Sequence, residues 1–88
     1  MAQSIYNWPA KELADLFEPM LRQGVVDYLF SSDELPLRAG LEMTDGCDGQ
    51  RLSQAMAVLK RRRLVRYRRS YRQWENSVHP RVTGVVPG

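Results

Sequence analysis

The stretch DGQRLSQAMAVLKRRRLVRYRR, residues 48–69, begins as an amphipathic helix and ends in a run of arginines. Its apolar side chains recur at the 3, 4 and 7 spacing of one buried helix face, formed by Leu52, Ala55, Met56 and Leu59. We predict a helix over 49–62, with Gly46 in the preceding turn and Asp48 as its N-terminal cap. Eight positive charges without an intervening acid then follow: Lys60, Arg61, Arg62, Arg63, Arg66, Arg68, Arg69 and Arg72. Because charges this dense repel one another, we expect them to meet a compensating partner.

Two strands are predicted after this helix, over 64–69 and 72–79. The favoured antiparallel register sets an aromatic pair and an ion pair across the strands, Tyr67 with Trp74 and Arg66 with Glu75. The dipeptide Ser70-Tyr71 is poor chemistry for a two-residue turn, which favours a four-residue loop. Pro80 should end the second strand. Tyr67 and Trp74 are interpreted as bracing this hairpin, whereas the role of Tyr71 stays open.

The chain before residue 48 predicts three further helices. The first covers 9–18, and Pro19 is expected to break or kink it near 18–19. A second helix is predicted over 20–31 and a short one over 37–44, with 33–36 as the connector between them. The expected order is therefore one N-terminal helix, then three helices followed by one hairpin.

That order and several of the residues resemble a winged helix-turn-helix domain of the small bacterial or phage regulator type. DGQRLSQAMAVLKRRRLV, 48–65, resembles the recognition helix of such proteins, with Leu64-Val65 entering the wing strand. LRAGLEMTDGC resembles their second helix and turn. One departure is Arg63, where these proteins usually have glycine. A left-handed backbone at that position costs arginine roughly 1–2 kcal/mol, so either the local geometry differs or the charge is worth the strain.

The resemblance implies a mostly α fold with a small antiparallel β-hairpin. It covers about residues 20–79, and we assign a winged helix domain to 20–80. An N-terminal helical extension, 1–19, and a tail, 81–88, complete the chain.

The outward face of helix 49–62 suits a major groove, because glutamine can pair with adenine and arginine with guanine. The predicted base-reading residues are Gln50, Arg51, Ser53, Gln54 and Arg61. Phosphate contacts are predicted for Lys60, Arg62, Arg63, Arg66, Arg68, Arg69 and Arg72. Two simpler interpretations stay open. Glutamine favours the helical conformation, so Gln50 and Gln54 could simply lie on a solvent-exposed helix face. One or two cations at the C-terminus of a helix also interact favourably with its dipole.

Composition narrows the class of protein. The 88 residues suit one domain, and 43% of them are hydrophobic. Residues 1–48 carry three basic and nine acidic side chains, a net charge of −6, whereas residues 49–88 carry ten basic and one acidic side chain, a net charge of +9. Such a basic half is typical of proteins that bind polyanions.

Cys47 is the only cysteine, which together with the lack of an apolar span or signal sequence favours a soluble cytoplasmic protein.

Catalytic chemistry has few candidate residues. His79 is the only histidine, and with one cysteine the chain lacks the ligands of a usual zinc site. The glycines of GCDG have neither the spacing nor the lysine of a phosphate-binding loop. We therefore expect no enzyme activity, no cofactor, no metal and no small-molecule ligand.

Two functions are compatible with these features. The first is sequence-specific binding of double-stranded DNA by a small transcriptional regulator. The alternative is a winged-helix adaptor that binds protein, as a phage or accessory factor docking on nucleic-acid machinery. A third possibility, single-strand binding, rests only on the aromatic residues. A homodimer through residues 5–18 is also predicted, the alternative being that this segment covers the chain's own core.

Overall fold

The described part of the chain contains three α-helices and a three-stranded antiparallel sheet, in a computed structural model that describes residues 3–43 and 46–82. In chain order the elements are β1 (Gln3–Ser4), a 3₁₀ turn (Ile5–Asn7), α1 (Ala10–Arg22), β2 (Leu29–Phe30), α2 (Glu34–Arg38), β3 (Leu41–Glu42), α3 (Gly46–Arg61), β4 (Val65–Arg68) and β5 (Gln73–Asn76). The larger sheet has the spatial order β2-β5-β4, and β1 pairs with β3 in parallel. The predicted α+β class is confirmed.

A break or kink was expected near Pro19, and the helix continues through it without a break. α1 contains Pro19, so the separate helix predicted over 20–31 is wrong. The buried face of α1 repeats apolar side chains at four-residue intervals on both sides of the proline: Leu13, Phe17 and Leu21. Burying this whole row offsets the cost of a proline inside a helix, about 3 kcal/mol.

Gly24 ends α1 and so prevents a helix over 20–31. Its φ of 73° is left-handed. The backbone N–H groups of Gly24 and Val25 donate to the carbonyls of Leu21 and Met20, at 3.2 and 3.0 Å. This pair of bonds is a Schellman motif, for which glycine is the favoured residue. The chain then turns into β2.

The segment 33–36, predicted to be a connector, contributes the first turn of α2 instead. Pro36 is compatible with this position, because the first N–H groups of a helix have no helical partner. The carboxylate of Glu34 accepts a hydrogen bond from the backbone N–H of Ser31 at 2.7 Å. That bond is one half of a capping box, a start signal present in the sequence as Ser-Ser-Asp-Glu.

The helix predicted over 37–44 is also wrong, because α2 ends at Arg38. Gly40 follows with a left-handed φ of 76°, which takes the chain out of the helix. The next two residues form β3, and their partners are in β1. The N-terminal segment therefore supplies the strand that β3 needs for its backbone hydrogen bonds.

α3 begins at Gly46, three residues before the predicted start. The prediction of Gly46 as a turn residue and Asp48 as a cap is therefore wrong, since both lie within the helix; residues 44 and 45 of the expected turn lie outside the described residues. The buried stripe is confirmed, with Leu52, Ala55, Met56 and Leu59 all inside.

The predicted hairpin is confirmed in its register. β4 and β5 are antiparallel, Tyr67 lies opposite Trp74, and Arg66 lies opposite Glu75. A four-residue loop, 69–72, joins them, as the turn chemistry predicts. β5 ends at Asn76, before Pro80.

The core is built mainly where α1 packs against α3, and it includes side chains that precede Pro19. Ile5, Leu13, Ala14 and Phe17 have no exposed surface. The boundary predicted between residues 19 and 20 falls inside α1. Of the predicted tail 81–88, residues from 83 onward lie outside the described residues.

Candidate nucleic-acid interface

α3 exposes the side chains that the sequence predicts to face a ligand. Gln50, Ser53, Gln54, Ala57 and Arg61 are all exposed, opposite the buried stripe. An open depression of about 520 Å³ is lined by Gln54, Ala57, Lys60 and Arg61. The small side chain of Ala57 keeps the middle of this face low, so that a large ligand can approach the helix closely.

α3 ends in the same motif as α1, with Arg63 in the place of glycine. The N–H groups of Arg63 and Leu64 donate to the carbonyls of Lys60 and Leu59, at 2.9 and 3.0 Å. The φ of Arg63 is 61°, so the left-handed geometry is present despite the missing glycine. For arginine this left-handed backbone conformation is unfavourable by roughly 1–2 kcal/mol. Its side chain is exposed, and burial therefore gives no reason for keeping an arginine at this position.

The hairpin carries exposed arginines along β4 and in its loop: Arg66, Arg68, Arg69 and Arg72. Tyr67 and Trp74 pack edge to face across the strands with ring centroids 5.2 Å apart, which agrees with their predicted bracing role. Tyr71 is 59% exposed, and the guanidinium of Arg68 lies 5.5 Å from its ring centroid. The loop therefore combines cations with one accessible aromatic ring.

A buried carboxylate, Glu75, organises one side of this hairpin. It accepts a hydrogen bond from the guanidinium of Arg68, with which it forms a salt bridge. Burial raises the pKa of the Glu75 carboxyl, but hydrogen bonding to Arg68 and to the Tyr28 hydroxyl and the positive charges of Arg68 and Arg66 together outweigh that effect, so the pKa lies below its ordinary value. The pKa of Tyr28 is raised, first because its hydroxyl bonds to Glu75.

From the sequence, Glu75 was predicted only as a partner for Arg66, although it is the one acid in residues 49–88. Nothing in the sequence indicated that Tyr28, in the loop before β2, interacts with Glu75. The next residue, Asn76, is fully buried, and its side-chain amide donates to the carbonyl of Leu21 at 2.8 Å. The hairpin is thus fixed to the end of α1.

Besides Arg68, two further predicted DNA-contacting arginines are engaged inside the protein. The Nη1 of Arg62 lies 2.8 Å from the Oδ1 of Asp15 and 3.3 Å from the Oε1 of Glu18, both on α1. The Nη1 of Arg51 donates to the carbonyl of Trp8 at 3.2 Å. Both arginines are half-buried. They tie α3 to the N-terminal segment, and part of the charge repulsion is compensated within the chain.

The remaining cations have no such compensation. Six exposed basic side chains form no salt bridge with any carboxylate of the described residues: Lys60, Arg61, Arg63, Arg66, Arg69 and Arg72. They follow one another from the last turn of α3 to the end of the hairpin loop. This run of uncompensated positive charge adjoins the polar face of α3.

Other types of site find little support in the residues that the structure describes. No three potential metal-binding side chains among residues 3–43 and 46–82 lie close enough to hold an ion. The ring Nδ1 of His79 accepts a backbone hydrogen bond from Arg81 at 3.1 Å, in the turn after β5. None of the helices in the described part of the chain has both the length and the apolar character needed to cross a membrane.

The apolar side chains proposed for a dimer interface are largely used by the chain itself. Ile5, Leu13 and Phe17 are fully buried, and Trp8 packs partly buried against the same core. The alternative that residues 5–18 cover the chain's own core therefore accounts for these four side chains. Dimerisation through this segment stays a prediction.

Comparison with protein-family models, with curated proteins and with solved structures finds no match for this chain. Its function must therefore be inferred from its own residues.

Proposed function

We propose that this chain is a winged helix-turn-helix protein that binds double-stranded DNA. In this proposal α3 enters the major groove and the β4–β5 hairpin acts as the wing, held against the phosphate backbone. A cytoplasmic transcriptional regulator is the role that fits such a module best.

The order of the elements supports the fold assignment. α1, β2, α2 and α3 precede the hairpin, and β5 is the central strand between β2 and β4. α2 and α3 are then the two helices of the helix-turn-helix, and β2 closes the sheet on the side away from β4. The resemblance of residues 48–65 to a recognition helix places the predicted reading face on α3.

The observation that carries the function is the set of six exposed cations without a carboxylate partner. A polyanion with regularly spaced charges compensates such a set, and the release of its counterions supplies binding free energy. The neighbouring face of α3 offers Gln50, Ser53, Gln54 and Arg61, whose side chains have the donors and acceptors that base edges require. The hairpin then binds the phosphate backbone of the DNA, and α3 recognises the bases.

Substitutions in α3 and in the hairpin are expected to have different effects. Gln54→Ala and Arg61→Ala should each reduce the discrimination between a selected duplex and a random one, by roughly 1–3 kcal/mol where a bidentate base contact is lost. Arg69→Ala should weaken both duplexes equally and reduce the salt slope of log K by about one. Fluorescence anisotropy with duplexes obtained by selection from a random pool measures both quantities.

Arg22→Ala is the matched control, because Arg22 is an exposed cation on α1 that pairs with Glu18. It should change neither affinity nor discrimination. Equal effects of the α3 and hairpin variants on both duplexes would contradict base recognition by α3.

The strained Arg63 is expected to show opposite effects on stability and on binding. Arg63→Gly relieves the left-handed strain and should raise the free energy of unfolding by about 0.5–1 kcal/mol, the gain being reduced by the greater freedom of glycine in the unfolded chain. The same change removes one cation and should weaken duplex binding. Urea unfolding and DNA titration of the same samples test both effects.

Arg63→Ala separates the two causes, since it removes the charge but keeps a side chain in the left-handed region. We expect weaker DNA binding without a gain in stability. If Arg63→Gly bound duplex as tightly as the unchanged protein, the charge would not explain the strain.

The adaptor function stays the second candidate, and one observation favours it. The acidic half of the chain exposes apolar side chains on α2 and next to β3, which a DNA-binding role does not use. Fold alone does not decide between these functions.

A further inference from the structure

An exposed apolar patch lies where α2 packs against β3. We call it the α2–β3 patch, and its members are Pro36, Leu37, Leu41 and Met43, with Asp33 at its margin. These residues line a depression of about 200 Å³. Leu37 is 72% exposed and Met43 is 40% exposed. A single exposed leucine is ordinary, but apolar side chains gathered around a depression are typical of an interaction site.

The sequence explains why Leu37 stays outside. α2 has only five residues, and Leu35 and Pro36 provide its buried side. Leu37 follows Pro36 at the edge of the same depression and is left exposed, although an exposed leucine side chain does not stabilise the fold. The helix would be equally compatible with a polar residue there, so the folding of this chain does not require Leu37.

The charges around the patch indicate the chemistry of an occupant. Asp33 lines the depression, is exposed and forms no salt bridge within residues 3–43 and 46–82, and Arg38 is the one exposed cation on α2. The half of the chain that contains the patch, residues 1–48, has a net charge of −6. DNA is repelled by such a surface, and so is a second acidic patch of the same chain. A segment that combines apolar and basic side chains is complementary to it.

We infer that the α2–β3 patch is a docking site for a basic amphipathic segment of another protein. The segment places an apolar side chain between Leu37 and Met43, and a lysine or arginine beside Asp33. A depression this small holds one or two side chains, so the contact is of the weak, reversible kind. The site uses none of the residues proposed to bind DNA, and the inference does not depend on that proposal.

The test is an NMR titration of the ¹⁵N-labelled full chain with two helical probe peptides. One peptide has leucine at the i, i+3, i+4 and i+7 positions and lysine elsewhere, and the other has glutamate in place of every lysine. We expect the lysine peptide to shift the amide signals of residues 33–43, and the glutamate peptide to leave them unchanged. Leu37→Ser should reduce the affinity of the chain for the lysine peptide about tenfold, because one buried leucine contact is lost.

Tyr71→Ser is the matched control, because Tyr71 is an exposed apolar side chain in the hairpin loop and not in the patch. It should leave peptide affinity unchanged. Leu37→Ser should retain the far-ultraviolet circular dichroism and the DNA affinity of the unchanged protein. A chain that fails to bind DNA but shows the peptide response would contradict the proposed function only.

Four results would overturn the inference. The first is equal binding of both peptides, and the second is unchanged affinity in Leu37→Ser. The third is a shift of the signals of residues 33–43 with protein concentration alone, which would identify a second copy as the occupant. The fourth is a shift of the same signals when residues 83–88 are deleted, which would identify the chain's own tail.

Discussion

Deleting residues 1–19 is expected to abolish folding of the remaining chain. The deletion removes four side chains with no exposed surface: Ile5, Leu13, Ala14 and Phe17. Truncating a single large core side chain costs about 2–5 kcal/mol, and the whole stability of a domain is about 5–15 kcal/mol. The loss of three large side chains together with ten of the thirteen residues of α1 is therefore more than this chain can tolerate. Arg62 would also lose Asp15 and Glu18, its partners on α1.

Circular dichroism and urea unfolding of residues 20–88 beside the full chain measure this effect. Lys11→Ala and Glu12→Ala in the full chain are the controls, because both side chains lie in the deleted segment but are exposed. Each should change the free energy of unfolding by less than about 0.5 kcal/mol. A cooperative unfolding transition of residues 20–88 would contradict the prediction and would support the domain boundary after residue 19.

Sedimentation of the full chain tests the predicted homodimer in the same samples. Since Ile5, Leu13 and Phe17 are occupied in the core, a dimer through residues 5–18 has to use other side chains of that segment. A full chain that sediments as a monomer, beside an unfolded truncated chain, would show that this segment is core and not interface.

Duplex affinity is expected to fall about 10³-fold between 50 and 200 mM salt. If the six uncompensated cations each neutralise one phosphate, log K falls against log salt with a slope near −5, at about −0.9 per phosphate. The other two cations of the run are held by acids, Arg62 by Asp15 and Glu18, and Arg68 by Glu75. They should contribute less to the slope than their charges alone suggest.

Titration of one duplex at several salt concentrations, with Arg69→Ala and Arg62→Ala as a matched pair, tests this division. We expect Arg69→Ala to reduce the slope by about one and Arg62→Ala to change it little. Single-stranded DNA and RNA of the same length are the further probes, and either one binding more tightly than duplex would favour the third functional possibility. A slope near zero, or no binding at low salt, would contradict DNA binding and favour the adaptor.

The features that depend on neighbouring residues could be predicted from the sequence. The stripe Leu52, Ala55, Met56 and Leu59 defines the buried face of α3, because helical spacing sets which side chains share a side. The hairpin register followed from cross-strand chemistry, since one alignment sets Tyr67 opposite Trp74 and Arg66 opposite Glu75. The predicted ion pair of Glu75 with Arg66 is not formed, because the carboxylate pairs with Arg68 instead. The exposure of Gln50, Gln54 and Arg61 was predictable for the same reason as the stripe.

Local signals failed where two of them competed. Pro19 predicts a break and Gly24 a weakened helix, but α1 passes through the first and ends at the second. The outcome depends on whether burying Leu21 offsets the cost of the proline, and that burial exists only once α1 packs against the rest of the core. The sequence Ser-Ser-Asp-Glu is also typical of a helix start, but residues 33–36 were predicted to be a connector.

Which of the basic side chains remain available to a ligand depends on the tertiary structure. Along the chain the eight cations between residues 60 and 72 are equivalent, and nothing in their spacing separates Arg62 from Arg61. The folded chain brings Asp15 and Glu18 to Arg62, over more than forty positions of sequence, and buries Glu75 beside Arg68 and Tyr28. Electrostatic energy depends on distance in space and on burial, and neither is a property of sequence position.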